Sequence, residues 1–534
     1  YGMSVVGLAS GAGATPDDIY LVDLSDGSTK LISKNDYVAM AFSPSGKWIT
    51  GFDMIAKKSF VMDTKSGEKT WLDDRFPYPI YNDEDDRPFG GSPYGSLGFT
   101  EDENTVFVYD KYDLWSLNLT SDDDAECVTN GYGRRRSTRL REAGFRKPDQ
   151  VYFDPKQEII LSGFQERTKR ASIFKDRLSG DDYPVELFAA DERLSRPVKA
   201  QESDEVVMTR ESFTMGREIF LTDTSFGEMR KMSNASTQKD AYNWGTVELI
   251  DWVSLDGDDL QGLVYKPEDF EYGKKYPMLV YFYETWTDNY HRYLSPAPSA
   301  STINIPYFVS NGYVVFVPDI PYKDGYPGES AMSAIVTGVN RVLQEGYVDK
   351  DRMGIQGQSW GGYQVAYMVT ETNMFAAAGA GAPVSNMFSA YGGIRWGSGL
   401  VRQLQYEQGQ SRIGGTMWEY PMRYWENSPV FFADKVETPL LMMHNDRDGA
   451  VPWWQSIEMF TALHRLRKPT WLLVYNGEDH NLVQRKNRKD LSVRLAQFFD
   501  HYLKGAPMPV WMSEGVPAVK KGTTYGFEIP DGDK

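Results

Sequence analysis

The chain has 534 residues, of which 41% are hydrophobic and 14% aromatic, so it can form large cores in two or more domains. Its net charge of -18 argues against a nucleic acid as partner. The single cysteine, Cys127, excludes an internal disulfide, which fits the cytoplasm or a bacterial periplasm. No stretch reaches the roughly 18 apolar residues of a membrane span.

The chain begins at Tyr1, and no signal peptide pattern follows it. We therefore expect a piece of a longer product, whose targeting segment is not visible. We favour a bacterial periplasm or another extracytoplasmic site over the cytoplasm. The sequence leaves homo-oligomerisation open.

Residues 1–244 repeat short alternating apolar runs beside Asp-Gly and Ser-Gly turns, for example "DIYLVDLSDGSTKLI" and "KSFVMDTKSGEKTWL". The spacing of about 40 residues is typical of four-stranded propeller blades. We predict four to five blades of an all-β propeller that is incomplete at its N-terminal side. An array of β-sandwiches is the alternative. Residues 75–95 are expected to form an acidic loop between strands.

Residues 245–510 have a different pattern of apolar residues. After a strand hairpin at "VELIDWVSLDGDDLQGLVYKP", continuous apolar strands such as "YPMLVYFY" and "PLLMMHND" alternate with helical runs. Strands that are apolar on both faces indicate a parallel sheet covered by helices. We predict a doubly wound, mostly parallel α/β-hydrolase domain, followed by a C-terminal tail over residues 511–534.

The stretch "GIQGQSWGGY" contains the pattern Gly357-x-Ser359-x-Gly361. A serine on a sharp turn from strand to helix exposes its hydroxyl, and small neighbours prevent collisions there. Ser359 is therefore the candidate nucleophile. An ordinary glycine-rich turn is the alternative.

A serine hydroxyl needs a base and a carboxylate, which follow it in this fold in the order acid, then histidine. The chain has five histidines: His291, His444, His464, His480 and His501. His480 alone combines the right order with a loop after a predicted strand, so it is the candidate base. A capping histidine is the alternative.

The acid should follow the preceding strand, where "HNDRDGAVP" offers two aspartates. We choose Asp448, because it lies in the loop beyond the strand and can turn toward His480. Asp446 is the runner-up. A metal site formed by His444, Asp446 and Asp448 is a further alternative, although no other His or Cys cluster supports it.

The motifs "GQSWGGY", "HNDRDGAVP" and "GEDHN", in this order behind propeller-like repeats, resemble the prolyl oligopeptidase family of serine peptidases. This family includes dipeptidyl peptidase IV and acylaminoacyl peptidases. The resemblance covers residues 247 to about 505 and suggests a bacterial protein. It implies the triad Ser359, Asp448 and His480, and it requires neither cofactor nor metal.

An oxyanion hole needs two hydrogen-bond donors. The first is expected to be the backbone N–H of Trp360, directly after the nucleophile. The resemblance implies that the second is the hydroxyl of Tyr283, although Glu284, Thr285 and Trp286 replace the small residues and proline usual in the family. A half-buried aromatic at the end of the sheet is the alternative for Tyr283.

The residues that contact substrate are harder to predict. The region 382–399 matches the family's pocket for the residue before the scissile bond, but it lacks the tyrosine pair of dipeptidyl peptidase IV. Without a paired-glutamate motif, a dipeptidyl activity is not predicted. The substrate-binding candidates are Glu284, Phe388, Tyr391, Arg395 and Trp396. For Glu284, the alternative is a salt bridge to a base such as Arg292 or Arg395.

These features predict a serine peptidase that cleaves short peptides, with the propeller restricting access. One alternative is an esterase or acyl hydrolase with the same triad. Another is a propeller-based binding protein whose hydrolase domain is inactive.

Overall fold

The structure is a computed structural model that describes residues 2–7, 17–147, 149–195 and 197–530. It divides into two compact units, Tyr1–Thr237 with His291–Tyr293, and Gln238–Tyr290 with Leu294–Lys534. Residues 8–16 of the predicted propeller and residues 531–534 of the predicted tail lie outside the described residues. Within the described part, no helix has both the length and the apolar character needed to cross a membrane.

The described residues of the first unit form five antiparallel sheets that follow one another along the chain. Their strands are β1 Gly2–Gly7, β2 Asp17–Val22 and β3 Thr29–Asp36; β4 Val38–Phe42, β5 Trp48–Asp53, β6 Lys58–Asp63 and β7 Lys69–Trp71; β8 Ser96–Phe99, β9 Thr105–Tyr109, β10 Leu114–Asn118 and β11 Glu126–Cys127; β12 Thr138–Glu142, β13 Glu158–Gln165, β14 Ala171–Arg177 and β15 Val185–Ala190; β16 Arg193–Leu194, β17 Val198–Lys199, β18 Glu205–Ser212, β19 Met215–Asp223 and β20 Arg230–Lys231. A short helix, α1, spans Tyr132–Arg136, and 3-10 turns span Asp73–Arg75 and Ala235–Ala241.

Consecutive sheets of the first unit share hydrophobic cores, so a sheet with neighbours on both sides buries both of its faces. Along β9, Val106 and Val108 belong to the core shared with the preceding sheet, whereas Phe107 and Tyr109 belong to the core shared with the next one. Successive strand residues point to opposite faces, so the alternating sequence supplies two cores from one strand. Face-to-face packing of consecutive four-stranded sheets is the arrangement of a β-propeller.

The second unit is built on an eight-stranded sheet in the order β21-β22-β24-β23-β25-β26-β29-β30. The strands are β21 Thr246–Val253, β22 Asp259–Lys266, β23 Tyr276–Tyr281, β24 Val314–Pro318, β25 Val348–Gln358, β26 Ala377–Gly381, β29 Leu440–Met443 and β30 Thr470–Leu473. β21 pairs with β22 in antiparallel orientation, and β22 pairs with β24 in the same way. All further neighbours, from β24 to β30 in this order, pair in parallel orientation. A separate hairpin consists of β27 Ile394–Arg395 and β28 Leu400–Val401.

Helices lie between the parallel strands and after the last of them, as expected for a doubly wound sheet. They are α2 Ile305–Ser310, α3 Pro327–Gln344, α4 Trp360–Glu371, α5 Met387–Tyr391, α6 Gln403–Glu407, α7 Pro421–Glu426, α8 Trp454–Arg465, α9 Arg485–Lys504 and α10 Val510–Ser513, with 3-10 turns at Thr287–Asn289, Pro429–Lys435 and Ala518–Lys520. All five residues of β24 are buried, which explains the unbroken apolar run of that strand.

The segment after α9 packs on the second unit. Trp511 is 4% exposed, and its indole N–H donates to Gln497 Oε1 at 2.8 Å. Trp471 of β30 donates to the carbonyl of Met512 at 2.9 Å. The start of the predicted tail therefore packs against the edge strand β30 and helix α9.

Candidate active site

Ser359 lies between the end of β25 and the start of α4. Its backbone has φ 59° and ψ -113°, a conformation that is strained for a residue with a side chain. The backbone N–H of Ser359 donates to the carbonyl of Gly381 at 2.7 Å, which fixes the turn against β26. The serine is therefore held at a tight strand-to-helix corner and remains partly exposed.

The glycines around Ser359 allow backbone segments to approach closely. A Cβ on Gly361 would lie 2.5 Å from the carbonyl oxygen of Phe282, and one on Gly362 would lie 2.2 Å from that of Gly381. A Cβ on Gly357 would meet the backbone of Gly361 at 2.4 Å. Each contact is too short for a side chain, so this corner requires glycine at all three positions.

Asp448 and His480 follow the neighbouring strands β29 and β30. His480 Nδ1 lies 2.7 Å from Asp448 Oδ2. The carboxylate only accepts, so Nδ1 carries the proton and Nε2 is left as the basic nitrogen. Gln358, the residue before Ser359, donates its side-chain amide to the carbonyl of His480 at 3.1 Å. This bond brings the histidine loop to the serine corner.

Asp448 is 7% exposed, and both of its carboxylate oxygens accept hydrogen bonds. Oδ1 accepts from the backbone N–H groups of Ala450 and Val451, both at 2.8 Å. Burial by itself raises the pKa of Asp448, but hydrogen bonds from His444 and His480 outweigh burial and hold this pKa well below its usual range. The group is therefore an anion at neutral pH.

His444 is a second histidine on the same carboxylate, although it has no role in the predicted triad. It is fully buried, with Nε2 3.2 Å from Asp448 Oδ2 and Nδ1 2.7 Å from the hydroxyl of Ser456. The sequence analysis considered His444 only as a ligand of the alternative metal site, and not as a partner of the triad carboxylate. Among the residues that the structure describes, no group of three or more His, Cys, Asp or Glu side chains could hold a metal ion.

Asp446 points to a different loop segment. Its Oδ1 accepts from the backbone N–H of Gly477 at 2.7 Å, and its Oδ2 accepts from Asn476 at 2.7 Å. These bonds lower the pKa of Asp446, the largest contribution coming from the side chain of Asn476. The geometry therefore pairs His480 with Asp448, while Asp446 holds the loop after β30.

Tyr283 follows β23, and its backbone and hydroxyl are both bound. Its carbonyl accepts from Tyr322 Oη at 3.0 Å and from Gln364 Nε2 at 2.9 Å. Its hydroxyl accepts from Gln410 Nε2 at 3.1 Å. Trp360, the other oxyanion candidate, is the first residue of α4, and its indole N–H donates to Tyr322 Oη at 3.1 Å. Tyr322 and Gln364 thus connect the two candidate donors.

Glu284 has two partners within the second unit. Its Oε1 accepts from Gln410 Nε2 at 2.7 Å, and its Oε2 lies 3.2 Å from Arg412 Nη2. The side chain of Arg412 is 3% exposed and that of Glu284 is 27% exposed. The expectation of a basic partner for this carboxylate named Arg292 or Arg395, whereas the structure pairs it with Arg412.

The remaining substrate-binding candidates differ in exposure. Tyr391 is 2% exposed, and its hydroxyl donates to Glu407 at 2.5 Å. Phe388 is half-buried, with its ring centroid 5.7 Å from that of Tyr424. Arg395 lies at the end of β27, and the following Trp396 is 65% exposed. Only the last two side chains are presented openly to solvent.

Residues 298–506 match the sequence model of the prolyl oligopeptidase family, peptidase S9. This match covers less than half of the chain. The peptidase YuxL of Bacillus subtilis, whose name calls it uncharacterized, is 28% identical over 48% of this chain and 39% of its own length. Dipeptidyl-peptidase 5 of Porphyromonas gingivalis is 21% identical over 92% of this chain and 63% of its own length. The chain thus spans less than two thirds of the length of either relative.

Solved structures of this prolyl oligopeptidase type share the fold. Dipeptidyl peptidase 4 of Porphyromonas gingivalis superposes with a TM-score of 0.66 at 16% identity, over 94% of this chain and 71% of the other. A puromycin hydrolase superposes with a TM-score of 0.63 at 16% identity, over 96% and 77%. The chain therefore has the architecture of an N-terminal propeller with a C-terminal α/β-hydrolase domain.

Proposed function

We propose that this protein is a serine peptidase that hydrolyses peptide bonds of short peptides through Ser359, His480 and Asp448. The observation that best supports the proposal is the 2.7 Å contact between His480 Nδ1 and the buried Asp448. Gln358, next to Ser359, also binds the backbone carbonyl of His480 and so joins the histidine loop to the strained serine turn. An imidazole that a carboxylate orients, on a loop bound to the serine turn, is an arrangement that can activate a hydroxyl for attack.

Acylation begins when Ser359 Oγ attacks the carbonyl carbon of the scissile amide and gives its proton to His480 Nε2. The tetrahedral intermediate carries a negative oxygen, and the imidazolium is stabilised by the anionic Asp448. The C–N bond then breaks, and the leaving amine takes the proton from His480. The products of this half-reaction are the free amine and an ester of Ser359.

Deacylation repeats the sequence with water. His480 Nε2 takes a proton from water, the hydroxide adds to the ester carbonyl, and the C–Oγ bond breaks. Ser359 Oγ recovers its proton from His480, and the carboxylic acid product leaves. In both steps the backbone N–H of Trp360 and the hydroxyl of Tyr283 donate to the negative oxygen, a contribution that grows as charge develops.

The substrate class is supported by relatives rather than by a specificity pocket. Curated relatives include proteins named dipeptidyl-peptidase 5, and one matched structure is a puromycin hydrolase. We infer that short peptides with an accessible end are the substrates. Phe388, Arg395 and Trp396 remain proposed substrate contacts, whereas the burial of Tyr391 and its bond to Glu407 assign it to the wall behind them.

The test is cleavage of a mixed library of short peptides, with products identified by mass spectrometry for the wild type and for Ser359→Ala. The library should contain matched peptides with free and acetylated amino termini. We expect defined cleavage by the wild type and at least a thousandfold loss in Ser359→Ala, whose melting temperature should be unchanged. Simple esters are assayed in parallel. Hydrolysis of the esters without any peptide cleavage would instead identify an esterase, and no turnover of either substrate would favour a binding protein.

A further inference from the structure

Gln410 links the two neighbouring side chains at the end of β23. It lies shortly after α6, and its amide nitrogen is 3.1 Å from the hydroxyl oxygen of Tyr283 and 2.7 Å from Glu284 Oε1. An amide nitrogen carries two hydrogens, so Gln410 can donate to both oxygens at once. No motif in the sequence pointed to this residue.

A tyrosine hydroxyl has one proton to donate and lone pairs with which to accept. Because Gln410 donates to the hydroxyl oxygen, the proton of Tyr283 must point away from Gln410. A hydroxyl that accepts one hydrogen bond also becomes a stronger donor, since neighbouring hydrogen bonds polarise one another. Both effects favour donation to a third group, such as a negative oxygen on a substrate.

The position of Gln410 is itself fixed by charged neighbours. Arg412 donates to the backbone carbonyl of Gln410 at 2.7 Å and pairs with Glu284 at 3.2 Å. The Arg412 guanidinium lies 4.2 Å from the centre of the Tyr322 ring, and Tyr322 donates to the carbonyl of Tyr283. Arg412 thus holds the backbone of Gln410, and Tyr283 and Glu284 bind its side chain.

We propose that Gln410 is a positioning residue that aims the hydroxyl proton of Tyr283 at the oxyanion. Glu284 orients the Gln410 amide, and Arg412 holds Glu284 in turn. Both oxygens of Glu284 have protein partners, so its carboxylate is part of this network. The inference rests on the proposed peptidase function, in which Tyr283 is an oxyanion donor.

The test is a double-mutant cycle between Gln410→Met and Tyr283→Phe, with kcat and KM measured on a peptide that the wild type cleaves. Methionine has a similar length but no N–H. We expect Gln410→Met to lower kcat about tenfold, the effect of one net hydrogen bond, with KM changed less than about twofold. In the Tyr283→Phe background, the same change should have almost no further effect on kcat.

Gln408→Met is the matched control, because Gln408 lies on the same turn with an exposed side chain; its kcat should equal that of the wild type. An equal loss of kcat from Gln410→Met in both backgrounds, or no loss in either, would overturn the inference. Should Gln410→Met fail to fold, Gln410→Asn takes its place in the same cycle, because the shorter amide no longer reaches Tyr283. Wild-type protein without Ser359-dependent cleavage would instead refute the proposed function.

Discussion

Asp448 and Asp446 are two residues apart, yet their hydrogen bonds assign them different tasks. Asp448 binds His480, whereas Asp446 binds the loop at Asn476 and Gly477. We expect Asp448→Asn to lower kcat by about 10⁴, because an amide favours the wrong tautomer of His480. Asp446→Asn should lower kcat less than about tenfold. Steady-state kinetics of both variants decide this, and a larger loss in Asp446→Asn would reverse the assignment.

The depressed pKa of Asp448 also makes stability depend on pH. The unfolded carboxyl, with a pKa of about 3.9, binds a proton before the folded one does, so the contribution is complete above about pH 5 and is lost as pH falls toward the folded pKa. The slope from one such group is at most about 1.4 kcal/mol per pH unit.

Urea unfolding between about pH 5 and pH 2.5 measures this slope. The free energy of unfolding of the wild type should fall more steeply with acid than that of Asp448→Asn, which has no carboxyl at this position. Parallel curves for the two proteins would show that Asp448 has an ordinary pKa in the folded state.

Among the secondary-structure elements, the first turn of α4 packs closely against the segment that bears Tyr283. The Cβ of Gly361→Ala would meet the carbonyl of Phe282, the residue directly before Tyr283, at 2.5 Å. We expect this change to cost about 1 to 3 kcal/mol of stability, as overpacking does, and to lower kcat because it displaces a candidate oxyanion donor.

Gly392→Ala is the control for this change. Gly392 is exposed, has φ -73°, and would bring its Cβ no closer than 3.8 Å to another atom. Its stability should stay within about 0.5 kcal/mol of the wild type. Thermal melts and kinetics on both variants give the comparison, and a Gly361→Ala protein as stable and active as Gly392→Ala would contradict the close approach.

Several parallel strands of the second unit were predictable because they are unbroken apolar runs. "GYVVFVPDI" contains β24, and "PLLMMHND" contains β29. The loops that follow the carboxyl ends of two such strands then identified the candidate acid and base. Gln410 and Arg412 could not be found this way, because their contacts with Tyr283 and Glu284 join positions 127 and 128 residues apart without any periodic pattern.

Across the molecule as a whole, the apolar pattern changes near residue 245 from short alternating runs to continuous runs. This change predicted an all-β part followed by an α/β part. The described first unit has five antiparallel sheets, and the repeats predict four to five blades. The alternation that produced this prediction is the same one that sends Phe107 and Val108 into different cores. Side-chain networks carry no such repeat, so the sequence predicted the framework better than the contacts within the site.

Ser359 is proposed as a nucleophile that His480 and Asp448 activate, and every step of the proposed reaction depends on this activation. It is tested most directly by reaction of the folded protein with a fluorophosphonate, followed by peptide mapping of the adduct by mass spectrometry. We expect a single adduct on Ser359 in the wild type and much slower labelling in His480→Ala. An adduct on another residue, labelling of Ser359 that is equally fast without His480, or no adduct at all would contradict the proposed activation.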